Sequence, residues 1–130
     1  MSQRPPRSVN VPGASHKAPI PGAARVGPIL ATSAVNGKDA ATGALPPEAQ
    51  AQADNAFANL QAVLAAGGAS LADVVKLSVT IADESVREAV NSPWLTLFPD
   101  PQDRPARHIV VHALQHGMKL QLEALAYVAR

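Results

Sequence analysis

Apolar positions recur along this chain with two different periods, and the change from one to the other marks out its elements. From Val74 to Ile81, Val75, Leu77, Val79 and Ile81 alternate with Lys76, Ser78 and Thr80, the pattern of a strand with one buried and one polar face. Ala53, Ala56, Phe57, Leu60, Val63 and Leu64 instead recur at helical spacing, with Gln50, Gln52, Asp54, Asn55, Asn59 and Gln61 mostly off the stripe. Pro46-Pro47-Glu48 suits the first turn of that helix and Gly67-Gly68 its end. Ser70 to Asp73 reads as a turn or short 3₁₀ element. A second helix is predicted from Val86 to about Phe98, capped by Asp83 or Ser85 and burying Val90, Trp94, Leu97 and Phe98. Pro93 within it, after Asn91-Ser92, predicts a kink or a restart with Ser92 as cap.

Two runs rich in Val, Ile and Leu close the chain, Arg107 to Leu114 and Leu120 to Val128. The five residues between them, Gln115 to Lys119, give the pattern of a hairpin. Alternation sets Arg107 and Ile109 on one side of the first run and His108, Val110 and His112 on the other. On the second run, Leu122, Ala124 and Ala126 oppose Gln121, Glu123 and Tyr127. Arg107 and Glu123 are polar intrusions that such a pair does not need; by pattern alone they fit a solvated charge pair as readily as a site. Near the start, Ala24 to Ser33 reads as strand with a turn at Gly27-Pro28, continued by Thr32 to Val35, and a short strand is expected near Ser8 to Val11. Between these, Ser15 to Gly22 holds two prolines, so His16 and Lys17 ride on an ordered loop or irregular edge. The order is strand, strand, long helix, strand, helix, strand, strand. That is an α+β arrangement with two helices on one face of a mixed sheet, the other face solvated or packed on another subunit.

Composition narrows the function classes. At 130 residues the chain is one domain, 15–130, preceded by a tail or edge strand over 1–14. Net charge is +1 and the Lys and Arg residues are scattered, which argues against a nucleic-acid footprint. No cysteine is present, excluding disulfides, thiolate metal sites and Cys nucleophiles, and fitting a cytoplasmic location. No apolar run is long enough for a membrane helix, no secretory signal is visible, and no Gly-rich phosphate cradle occurs. His108 and His112 share a face but lack a third metal ligand at sensible spacing.

Several pieces, in order and at consistent spacing, then carry a resemblance. They are Val26-Gly27 before Thr32-Ser33, Asp39 with Thr42-Gly43, Leu60 through Lys76, Val90-Asn91 with Trp94 and Phe98, Pro105-Ala106-Arg107, and Leu122 through Ala126. Over roughly 16–128 the chain resembles the Rid (YjgF-type) family of reactive-intermediate enamine/imine deaminases, trimeric α+β proteins of chorismate-mutase-like fold. The resemblance implies a site in each intersubunit cleft, with a small carboxylate-bearing substrate and no metal or organic cofactor. Arg107 matches the arginine that grips the substrate carboxylate, and Glu123 the acidic residue that handles water or a proton. Asn91 matches an asparagine near the site, and Ser33 and Ala34 fall where backbone lines the pocket. Two departures stand out: Ser33-Ala34-Val35 replaces the usual Ser-Gly-Gln, and Ile20 replaces a tyrosine. With His16 and Lys17 at the rim, the pocket suits a larger or dianionic substrate such as an aminomuconate-type enamine. The other readings are a non-catalytic binder or sensor of a small acid, and nucleic-acid cleavage, against which the even charge and the lack of an aromatic platform argue.

Overall fold

Among the described residues there are six strands and two α-helices: β1 (Ser8–Val9), β2 (Ala23–Val26), β3 (Ile29–Thr32), α1 (Ala49–Ala66), β4 (Val74–Ile81), α2 (Arg87–Leu97), β5 (Ala106–Val111) and β6 (Leu120–Tyr127). The computed structural model describes residues 5–12 and 18–129. The strands form one mixed sheet in the order β1-β2-β3-β6-β4-β5, parallel only between β4 and β5. A parallel pair needs a crossover connection, and α2 supplies it.

Burial follows the periods. Leu30, Leu77, Val79, Ile81, Leu122 and Ala126 form the inner face of the sheet, and the whole apolar stripe of α1 from Ala53 to Leu64 is buried with them. Phe57 is 1 % exposed; burying such a side chain stabilises by about 2–3 kcal/mol. No described residue covers the outer face here: Ile29, Leu125 and Tyr127 are 46, 42 and 52 % exposed and adjoin one another through the β3–β6 register.

Five expectations are corrected. The closing hairpin does not form, because β4 lies between β5 and β6. Alternation tells which face of a strand is buried, not which strand lies beside it. The intervening loop passes the end of β4, tied there by the His112 N–H on the Ile81 carbonyl (3.0 Å) and the Ala82 N–H on the Lys119 carbonyl (2.8 Å). Val75 is exposed and Val74 buried, since a bulge between Val74 and Lys76 shifts the pleat by one residue.

α2 runs through Pro93 without restarting, so Ser92 caps nothing; Asp83 caps a 3₁₀ turn, Glu84–Val86, that leads into the helix. Gln52, polar and off the apolar stripe, is fully buried. Its Nε2 donates to the carbonyls of Pro46 (2.7 Å) and Gly117 (3.1 Å), and its Oε1 accepts the Lys119 N–H (2.8 Å). The strand expected to continue through Thr32 to Val35 is broken by a second bulge, described with the site below.

The loop after β3 is fastened to α1 by polar side chains. Asn55 donates to the Gly37 carbonyl, and Asn59 to those of Asn36 and Lys38. Gly37 has to be glycine: a Cβ there would lie 2.2 Å from the Gln52 carbonyl oxygen.

Candidate active site

Arg107 lies on the sheet's inner face near its edge, in the row that continues through Leu77 to Ala124. Its guanidinium carbon sits 4.8 Å above the centre of the Trp94 ring, which in turn packs at 4.9 Å against Phe98. Both aromatics are nearly buried, so they hold the guanidinium plane rigidly. Arg107 Nη1 is buried without a hydrogen-bond partner among the described residues. An unpaired buried donor on a cation is costly and needs an explanation. A carboxylate arriving from outside is the acceptor that such a fork fits. Burial, and behind it the charge of Arg87, press the Arg107 pKa below the ordinary arginine value. Asn91 stands one turn before Trp94 on α2, its Nδ2 3.3 Å from Glu88 Oε1.

A second group of residues gathers elsewhere. Ala31 pairs with Leu125 and Val35 with Leu122, so four steps along one strand oppose three along the other. The extra residue makes a β-bulge at Thr32 to Ala34. Thr32 Oγ1 closes the gap by accepting the Ala124 N–H at 2.9 Å. The bulge sets Ser33 and Ala34 beside the stretch of β6 that carries Glu123. Ser33 Oγ donates to the Pro21 carbonyl at 2.8 Å and so anchors the loop that presents Ile20, 48 % exposed. Glu123 is exposed on the outer face, opposite Ser78, with His108 in the same row.

The structure therefore sorts these residues into two sets. Arg107, Trp94 and Asn91 form one at the β5 edge and α2; Ser33, Ala34, Ile20 and Glu123 form the other. Within one copy, Arg107 and Glu123 point from opposite faces of the sheet, about 10 Å apart across two strand spacings. No ion pair joins them.

A family model described as Endoribonuclease L-PSP matches residues 16–128. The chain belongs to this family, the YjgF/RidA family. The resemblance read from the sequence is borne out. Among solved structures, RidA from the Antarctic bacterium Psychrobacter sp. PAMC 21119 is 30 % identical, with a TM-score of 0.86 over 94 % of this chain and 99 % of that one. The YjgF gene product of Escherichia coli is 28 % identical, with a TM-score of 0.85 over 95 % of this chain and 99 % of that one. The 2-iminobutanoate/2-iminopropanoate deaminase of Salmonella typhimurium is 31 % identical over 103 residues, 78 % of this chain and 80 % of that protein.

Of the site residues expected in this RidA-family chain, His16 and Lys17 lie outside the described residues. Trp94 was legible as a buried helix residue and as part of the family resemblance, but not as a site residue. Its position one turn beyond Asn91, as the only tryptophan in a chain with 3 % aromatics, was the available sign of a platform. Thr32 gave no such sign, because its role depends on a bulge. Among the described residues, no helix is long and apolar enough to cross a membrane, and no three His, Cys, Asp or Glu side chains gather as metal ligands.

Proposed function

We propose that this chain is an imine/enamine deaminase, hydrolysing a small carboxylate-bearing imine to the keto acid and ammonia in clefts between the copies of a homotrimer. The buried, unpartnered Nη1 of Arg107 over Trp94 carries the reading. It is a prepared anion clamp with nothing among the described residues to fill it. The deaminase name of the Salmonella relative supports the same chemistry.

An enamine first tautomerises to the imine, whose carbon is already electrophilic. Water adds to that carbon while a proton goes to nitrogen. The C–N bond of the resulting carbinolamine then breaks as the hydroxyl proton is passed to nitrogen, giving ketone and ammonia. Arg107 holds the carboxylate in two parallel hydrogen bonds, and Asn91 adds an amide beside it. Glu123 takes the proton from water and passes it to nitrogen. Since Glu123 and Arg107 diverge within one copy, the Glu123 that serves a given Arg107 belongs to a neighbouring copy. The uncovered apolar patch of Ile29, Leu125 and Tyr127 supports that assembly, being of the kind that partners cover. No nucleic acid enters this reading, in keeping with a net charge of +1.

Ammonia release from freshly generated imines and enamines tests it, small aliphatic ones beside an aminomuconate-type enamine. Wild type should exceed the spontaneous rate, and Arg107→Ala should return to it. Equal rates for the two proteins would reject the clamp. A second reading, a small-acid binder without turnover, is favoured by Ile20, an exposed aliphatic with no proton to give where the family resemblance places a tyrosine. Keto-acid binding without any ammonia release would establish that reading instead.

A further inference from the structure

Beyond α2 the chain turns through Phe98 to Pro105 into β5, and this turn walls a cavity of about 280 Å³ against the start of β4. Leu71, Val74, Leu97 and Phe98 give it an apolar lining, with Val74 and Phe98 buried. Asp103 and Arg104 line the same cavity. Arg104 is pinned there by its Nε, which donates to the Phe98 carbonyl at 2.9 Å; Nη1 and Nη2 have no hydrogen-bond partner among the described residues. The Asp103 carboxylate has none either, and no ion pair joins it to Arg104. Asp100, a third charged residue of the lining, is engaged through Oδ1 by the Gln102 N–H at 2.9 Å. A cation and an anion thus border one apolar cavity without pairing with each other.

We infer that this cavity binds a free α-amino acid with an apolar side chain, its carboxylate on Arg104, its ammonium on Asp103 and its side chain against Leu71, Leu97 and Phe98. An α-amino acid carries both charges and an apolar group on one carbon, the same set of partners that the lining offers. A plain carboxylate would use Arg104 but meet Asp103 as a like charge, and a plain amine would do the reverse. Arg104, held beforehand through Nε, keeps its other N–H groups for a carboxylate and loses little freedom when one arrives. None of Arg107, Asn91 and Trp94 lines the cavity, and the inference does not depend on the deaminase reading. The two places are joined through aromatic rings: Phe98 packs at 4.9 Å against Trp94, the ring under Arg107. Trp94 is the only tryptophan of the chain, so its fluorescence reports on the cavity.

Titration of the full chain with L-leucine, followed by Trp94 fluorescence and by calorimetry, tests it on variants shown by circular dichroism to be folded. Leucine should bind saturably, with the same affinity for wild type and Arg107→Ala. Arg104→Ala and Asp103→Asn should each weaken it at least about tenfold, the usual effect of losing one charge-assisted contact. In the Arg107→Ala protein, where the other anion clamp is gone, glycine, isocaproate and isopentylamine should bind at least about tenfold more weakly than leucine. They lack the side chain, the ammonium and the carboxylate in turn. Absence of saturable leucine binding would overturn the inference, as would unchanged affinity in Arg104→Ala or Asp103→Asn. Leucine binding that is lost in Arg107→Ala would overturn it too, by moving the ligand to the other site.

Discussion

Gln50 Nε2 donates to the Ala89 carbonyl at 3.1 Å, and Ala89 is the residue whose carbonyl Pro93, having no N–H, leaves without its helical donor. A side chain from α1 thus replaces the missing hydrogen bond inside α2. The same contact ties the two helices together beside the face that carries Asn91 and Trp94. This is why α2 passes through Pro93 where a break was expected.

The repair can be measured. Gln50→Ala should lower unfolding free energy by about 1 kcal/mol, the usual cost of one partly buried hydrogen bond. In a Pro93→Ala background, position 93 gains the N–H that satisfies Ala89, and the Gln50→Ala cost should largely vanish. Urea unfolding of the four proteins gives the coupling; additive effects would mean that Gln50 is not a substitute donor.

Gln52 does a larger structural task, joining the entry to α1 and the loop before β6 through three hydrogen bonds. Gln52→Leu fills similar space but strands two carbonyls and an N–H. A loss of about 2–4 kcal/mol in urea unfolding is expected, far above a surface substitution.

These cases show what could be read from the sequence. The helical stripe of α1, the turn at Gly27-Pro28 and the stop at Gly67 depend on local rules, and the structure has them as expected. The neighbours of β5 and β6 do not, because a strand pattern carries no record of which edge it joins. Bulges at Val75 and at Thr32 to Ala34 escape for the same reason: one extra residue reverses the faces without disturbing composition. Arg107 was legible as an intrusion and through the family resemblance. Its separation from Glu123 within one copy was not, since that depends on β4 lying between their strands.

Trp94 should matter to binding as well as to the core. Trp94→Leu removes the ring under Arg107, a contact worth about 1 kcal/mol, and should weaken keto-acid binding about fivefold to tenfold. Trp94→Phe keeps a ring and should lose less. Calorimetry on variants shown by circular dichroism to be folded checks this; unchanged affinity in the leucine variant would mean that the stack only packs.

Asp83 gives a pH signature. Hydrogen bonds from the Ser85 side chain and N–H hold its carboxyl below the ordinary aspartate range. A depressed folded-state pKa contributes stability that is present above the unfolded value and is lost as pH falls through the folded one. Asp83→Asn should therefore unfold at lower urea than wild type at neutral pH, the difference shrinking below about pH 4. A difference that stays constant down to pH 2 would contradict the carboxylate's role.

In the proposed deaminase each site is made from two copies, Arg107 from one and Glu123 from its neighbour. Mixing Arg107→Ala and Glu123→Ala chains, unfolded together and refolded, tests it most directly through ammonia release. Each variant alone should be inactive. The mixture should recover about a quarter of wild-type activity, because random pairing leaves both native halves at one interface in four. A mixture as inactive as its components, or a Glu123→Ala protein with full activity, would contradict the shared site.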